Sequence, residues 1–259
     1  MKHKTKVLAE RFTTLLTQWP GVECISLNEA AQGDTLDPYF ALILDVFYAA
    51  PIPDATERRR LYGDDVAAFE TSGRTDKDRF LLGELPVRIE YKATQKVESL
   101  VSLVSTKADS FWILKDSGTY GFYRLTQGEL LFVRTPWIRG IRKKLLNLDD
   151  TFWVRLRQVY QLKMEHLLND LGAALFQDDD FNYLISQALF IKTACLTLFC
   201  INHRFEPSHR AYYTQVRELT VLPEAFEAEL STFLRGAKEI SHERKYALAQ
   251  RIARTIVAL

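Results

Sequence analysis

The chain has 259 residues, 47% of them hydrophobic and 12% aromatic, enough to bury one large core or two modest ones without disulfides or structural metals. Its 34 Lys and Arg stand against 33 Asp and Glu, a net charge of +1, so no basic field points to nucleic acid or to an acidic membrane surface as a partner. The 3 cysteines, Cys24, Cys195 and Cys200, form no paired metal spacing, and Met1–Lys6 leads into the polar Glu10, Arg11 and Thr13 instead of an apolar signal segment, so the expected compartment is the cytoplasm.

Leu8, Phe12, Leu15, Leu16 and Trp19 recur at helical spacing until Pro20-Gly21, which predicts an amphipathic helix at the start of the chain. Val22–Leu27 reads as a strand, Asn28–Pro38 as a polar turn-forming stretch, and Tyr39–Tyr48 as a longer strand whose near-continuous apolar run requires cover on both faces. Pro51–Asp78 is charged and short of large apolar residues, which suggests surface structure, and Pro86–Lys92 alternates as a further strand. Val97, Leu100, Val101 and Val104 then suggest a helix, after which Tyr120–Leu125 and Leu130–Val133 flank Gln127-Gly128 in the manner of a hairpin.

From about Trp137 onward strand signals vanish. Leu248, Ile252 and Ile256 form a bundle-type stripe, with Ser241 as the N-cap of that last helix. The most apolar stretch, Leu189–Ile201, contains Lys192 and is shorter than the roughly 20 residues a bilayer requires, so it reads as a buried helix and no membrane association is expected. The order of elements predicts an α+β unit with a mixed β-sheet over residues 1–145, followed by an all-α helical bundle over residues 150–259.

Leu27–Tyr48 resembles the signature region of the nucleotidyltransferase superfamily, the polymerase-beta-like group that includes the aminoglycoside and lincosamide nucleotidyltransferases. Ala31-Gln32-Gly33-Asp34 occupies the place of that family's Ala-Arg-Gly-Asp loop, and Asp37-Pro38-Tyr39 the approach to the strand that carries its paired carboxylates. Asn28-Glu29 stands where the family has Gly-Ser, and its spacing puts Ala41 and Ile43 at the two metal positions, with Asp45 one side-chain step further on the same face. Glu90, in Val-Arg-Ile-Glu-Tyr, lies where the family often places its last acidic residue.

The resemblance implies a site for Mg²⁺ and a nucleoside triphosphate such as ATP. Asp45 and Glu90 would be its catalytic carboxylates and metal ligands, and Asn28, Glu29, Gln32 and Asp34 would face the nucleotide. The ordinary alternative is that Asp45 and Glu90 pair with local partners such as Arg88 or Lys92, or sit at solvent-exposed strand ends.

The segment Phe190–Pro207, with Arg217–Pro223 after it, resembles the helical C-terminal domain attached to many of these proteins, whose Leu-Asn-Arg-Arg-Tyr-x-Pro appears here as Ile201-Asn202-His203-Arg204-Phe205-Glu206-Pro207. That resemblance implies that Asn202, Arg204 and His209 line an acceptor site. As ordinary alternatives, Asn202 caps a helix in the left-handed conformation, Arg204 covers apolar surface and His209 is simply exposed.

The basic runs Arg58-Arg59-Arg60 and Arg139/Arg142/Lys143/Lys144 lie close in sequence to Asp64, Asp65, Asp149 and Asp150 and read as solvated faces; Asp178-Asp179-Asp180 reads as a helix N-cap. Two functions follow: transfer of a nucleoside monophosphate from a nucleoside triphosphate to a small polar acceptor, or a protein that keeps the fold to bind a ligand or a protein partner without turnover.

Overall fold

The computed structural model describes residues 3–30, 42–74, 76–106, 118–236 and 239–259. Their contacts gather into two compact units, one of residues 1–106 with 124–147, the other of residues 107–123 with 148–259.

In the first unit the elements run α1 (His3–Leu16), β1 (Val22–Ala30), β2 (Leu42–Tyr48), α2 (Ala55–Tyr62), β3 (Val66–Thr71), β4 (Lys77–Leu82), β5 (Leu85–Ala93) and α3 (Thr94–Thr106). α4 (Tyr120–Gln127), inside which the boundary between the units falls, β6 (Glu129–Val133) and α5 (Trp137–Leu146) complete it. The six strands form one sheet in the order β3-β4-β5-β2-β1-β6. β2 and β5 are parallel and the remaining neighbours antiparallel, so this is an α+β unit with a mixed sheet.

The helical spacing read at the N-terminus sends Phe12 and Leu16 fully out of solvent against Leu42, Leu44 and Val46 of β2 and Val87 and Ile89 of β5. Alternation turns Ile43, Asp45 and Phe47 to the opposite face, where Trp137 of α5 packs on Phe47 with ring centroids 5.4 Å apart. β2 is therefore covered on both sides, as its apolar run requires.

Two expectations are corrected. Tyr120–Gln127 is a helix, not the first strand of a hairpin, and β6 pairs with β1. Aromatic residues favour strands locally, but Phe122 and Leu125 sit three apart on one buried helical face and Arg124 is buried on another side of the same helix, and that packing outweighs propensity. Pro51–Asp78 is not mere surface structure, because it contributes α2, β3 and the start of β4.

Within that segment Arg58 is buried. Its Nε and Nη2 donate to the Asp78 carboxylate at 2.7 and 2.9 Å, its Nη1 donates to the Pro53 carbonyl at 2.9 Å, and the guanidinium lies 4.6 Å over the Tyr91 ring. The Tyr62 hydroxyl donates to Asp78 at 2.5 Å and contacts the Tyr91 hydroxyl. Burial, together with the Asp78 charge, raises both phenols well above their ordinary range. Of the run of three arginines only Arg60 is mainly solvated, while Arg59 donates to the carbonyls of Gly63 and Val66.

The second unit is helical: α6 (Asp150–Phe176), α7 (Asp180–Ile201), a 3₁₀ turn at His209–Ala211, α8 (Tyr212–Arg217), α9 (Phe226–Phe233) and α10 (His242–Val257), with no strand among its described residues. α6 and α7 form an antiparallel hairpin whose facing side chains, Met164, Leu171, Phe190 and Leu198 among them, are fully buried. Leu248, Ile252 and Ile256 of α10 join that core. Ser241 caps α10 by accepting from Arg244 N, and Asp179 caps α7 by accepting from Asn182 N at 3.0 Å.

α7 is longer than the apolar stretch suggests. At 22 residues it is the one helix among the described residues long and apolar enough to cross a membrane by length and composition, a test that the core helix of a bundle also passes. Thr193–Cys200 is entirely buried, whereas the first half of the helix exposes large apolar side chains.

The Arg58–Asp78 pair gives a direct test of its structural role. Arg58→Ala should cost about 3–5 kcal/mol in urea unfolding, because Asp78 is left as an uncompensated buried charge, whereas Arg60→Ala should stay within about 0.5 kcal/mol.

Candidate functional site

Asp45 lies mid-strand in β2 and is wholly excluded from solvent. Its register partners are Ser26 on β1 and Glu90 on β5, so alternation brings all three side chains to the face turned away from α1. Two adjacent carboxylates in a poorly hydrated position repel one another and lose hydration energy, so the fold must supply cations.

It does so densely. Arg124 of α4 donates from Nη2 to Asp45 Oδ1 and from Nη1 to Glu90 Oε2 at 2.9 Å, clamping one carboxylate with each nitrogen. Lys92 Nζ lies 2.8 Å from Asp45 Oδ2 and 3.6 Å from Glu90 Oε2. Asn28 Nδ2 donates to Asp45 Oδ2 at 2.8 Å. Arg88 Nε donates to Glu90 Oε1 at 2.7 Å, and Lys77 Nζ is 3.7 Å from the same oxygen. Among the described residues, the ion pairs set Lys77, Arg88, Lys92 and Arg124 around Asp45 and Glu90.

Burial alone would push the Glu90 carboxyl upward, but Arg124, Lys92, Arg88 and Lys77 outweigh it and hold the group at about 2.

Gly128, between α4 and β6, makes room for the cluster. A Cβ there would stand 2.8 Å from Arg124 O, 2.8 Å from Asn28 Oδ1 and 3.2 Å from Ser26 Oγ. Those last two atoms are buried and have no hydrogen-bond partner among the described residues, so the face keeps unused polar capacity beside Asp45.

As they stand, Asp45 and Glu90 do not offer a divalent cation free carboxylate oxygens, since each of the four oxygens already receives a protein cation or amide. Among the described residues no group of three or more His, Cys, Asp or Glu could hold a metal ion.

Sequence reasoning thus finds Asp45, Glu90 and Asn28, and the structure brings the three together. The side chain of Glu29, and Gln32 and Asp34 entirely, lie outside the described residues. Arg124 is missed because it sits in the segment read as a strand, and nothing local distinguishes it from a surface arginine. Lys77 is missed because a sheet pairing, not sequence proximity, brings it to Glu90.

In the second unit no hydrogen bond or ion pair joins Asn202, Arg204 and His209 to one another. Asn202 is the C-cap of α7; its Nδ2 donates to the carbonyls of Leu198 and Val221, both at 2.9 Å, and its Oδ1 accepts from Val221 N at 2.8 Å. The left-handed residue is His203, at φ 52°, not Asn202. His203 N donates to Cys200 O and Arg204 N to Phe199 O, the crossed pair of a Schellman cap, while the His203 ring stacks on Trp153 at 5.3 Å.

The Arg204 side chain is exposed. His209 is exposed too, 3.6 Å from the buried Glu206, which also accepts from the Tyr212 hydroxyl and lies 3.7 Å from Lys192. Cys24, Cys195 and Cys200 are buried free thiols; burial pushes the first two up to about 12, which leaves no nucleophilic thiolate near neutral pH.

This architecture, a mixed six-stranded sheet with flanking helices in one unit and a helical second unit, defines the fold class as α+β with an all-α companion. No protein-family model matches the chain, and no curated protein is similar to it in sequence. Among solved structures it is similar to a nucleotidyltransferase-like protein from Exiguobacterium sibiricum 255-15, with a TM-score of 0.48 and 12% identity, covering 96% of this chain and 73% of that one.

The cluster sets an acid limit on stability. The unfolded Glu90 carboxyl titrates near 4.5 and the folded one near 2, so the unfolded chain takes up the proton first and the stability present above pH 4.5 is lost as pH falls toward 2. Urea midpoints measured through that window should show a Glu90 contribution that is absent in Glu90→Gln. Gly128→Ala, which forces Asn28 and the α4 carbonyl apart, should destabilise by about 1–3 kcal/mol in the same assay.

Proposed function

We propose that this is a protein of nucleotidyltransferase-like fold that binds a phosphate-bearing ligand, a nucleotide being the class its signature segment implies, without a metal-dependent transfer step. The observation that carries this reading is the occupation of both carboxylates by protein cations: Arg124 and Lys92 stand where a shared Mg²⁺ would have to bind. A guanidinium supplies positive charge but no exchangeable coordination sites, so it neutralises Asp45 and Glu90 without activating a phosphoryl group through metal ligation.

The partly exposed basic rim of the cluster favours an anion. Lys77, Arg88 and Lys92 keep side-chain exposures of 33%, 18% and 27%, so phosphate oxygens can reach them, and the unused Ser26 Oγ and Asn28 Oδ1 offer further polar contacts at its base.

A second reading, transfer of a nucleoside monophosphate to a small polar acceptor, is favoured by one observation. Asp45 and Glu90 are register partners on neighbouring parallel strands, the placement two carboxylates need to share a divalent ion. It requires Arg124 and Lys92 to withdraw when metal and nucleotide arrive.

Thermal unfolding with ATP separates the two. Under the binding reading, ATP at about 100 times its Kd stabilises the fold by about 2.7 kcal/mol, a rise on the order of 5 °C, equally in EDTA and in Mg²⁺, and Lys92→Ala reduces the rise. A shift that appears only with Mg²⁺ and disappears in Asp45→Asn supports transfer instead. If ATP, GTP and inorganic phosphate all leave the midpoint unchanged, the anion-binding reading is wrong.

A further inference from the structure

The first half of α7 carries a row of large apolar side chains that the described residues leave uncovered: Phe181, Leu184, Ile185 and Leu189 are 73%, 65%, 42% and 41% exposed. Ala188 is exposed among them, and Phe176, at the preceding corner between α6 and α7, is 91% exposed. The spacing is i, i+3, i+4, i+7, i+8, so the five α7 residues form one stripe of the kind that seats a second helix. A contiguous row of this size on the outside of a bundle marks an interaction surface.

The same stripe changes character further along. At 100° per residue, Ile191, Lys192 and Cys195 continue its line, but there they border a cavity of about 270 Å³ closed by Tyr212 and Val216 of α8 and Leu230 and Leu234 around the end of α9. The helix thus presents protruding apolar side chains at one end and an apolar hollow at the other. Charge is divided in the same way. The corner Asp178-Asp179-Asp180 precedes the row, and Lys192, 40% exposed, stands at the mouth of the hollow.

We infer that two copies of this chain associate through α7, antiparallel about a two-fold axis near residue 186, so that the Phe176–Phe181 corner of each copy enters the hollow beside Cys195 of the other. The register follows from the positions alone. With the axis at 186, Leu184 lies level with Ala188 of the other copy and Phe181 with Ile191. Asp180 and Lys192 are each six residues from the axis, about 9 Å, and so fall opposite one another. Each protruding end meets a hollow and each acidic corner meets a lysine, twice over, which is the self-complementarity a two-fold interface requires. A parallel arrangement would set knob against knob and leave both hollows empty. The interface lies wholly within the helical unit and is independent of the ligand reading above.

Sedimentation velocity on the full chain across the micromolar range tests this. The expected result is a concentration-dependent species of twice the monomer mass. Ile185→Glu should weaken association at least tenfold and leave the thermal midpoint unchanged at concentrations where the wild type is monomeric, since the position is exposed in the monomer. Asp180→Lys, at a side chain 86% exposed in the monomer, should weaken association too, because in the antiparallel arrangement it comes level with Lys192 of the other copy.

A chain that is monomeric at every concentration overturns the inference. So does a dimer indifferent to Ile185→Glu or to Asp180→Lys. Flotation of the wild-type chain with phosphatidylcholine–phosphatidylserine vesicles, abolished by Ile185→Glu while the protein in buffer stays monomeric, would assign the stripe to a membrane surface and likewise overturn it.

Discussion

Two carboxylates held side by side on neighbouring strands impose the constraint around which the first unit is organised. Asp45 and Glu90 are fixed as partners by the parallel register of β2 and β5; Asp45 is wholly buried and the Glu90 side chain is only 11% exposed. Left alone, the pair would cost several kcal/mol in desolvation and repulsion. Arg124 relieves it from α4 and Lys92 from β5, while the absent side chain of Gly128 lets Asn28 approach as a third donor. The placement of α4 against the sheet, the close α4–β6 turn and the alternation of β5 are all recruited by one electrostatic demand.

The same demand shapes what the site can do. A divalent ion between carboxylates provides labile coordination positions and polarises a phosphate. A guanidinium provides fixed hydrogen bonds and leaves the carboxylates neutralised for good. The chemistry at Asp45 and Glu90 is that of a buried ion-pair network, and a fold by itself does not fix an activity. A second network, Arg58 with Asp78, Tyr62 and Tyr91, occupies the other face of the sheet, so both surfaces of the central strands are pinned by buried charge.

Much of the fold was legible because it is local. The α1 stripe, the alternation of β5, the apolar run of β2 and the caps at Asp179 and Ser241 each depend on residues within a few positions of one another. The pairing of Asp45 with Glu90 was legible because alternation fixes the face of both. What could not be read is long-range. Arg58 finds its partner 20 residues away in β4, so a run of three arginines looked solvated. Arg124 reaches its carboxylates across 34 and 79 residues, from a segment whose aromatic composition suggests a strand. The role of Asn202 in the fold is long-range too: its amide ties the end of α7 to Val221, 19 residues on.

The path of the chain has a consequence for dissecting the protein. Neither compact unit is continuous, since the backbone leaves the first at residue 106, rejoins it at 124 and departs again after 147. No single cleavage therefore yields two intact halves. A fragment ending at 147 would keep every strand but would also carry Thr119 and Phe122 stripped of Glu206 and Phe205, the groups they contact in the whole chain, leaving a fresh apolar scar. Proteolytic nicking and expression of isolated pieces would report the loss of those contacts before they reported anything about autonomous folding.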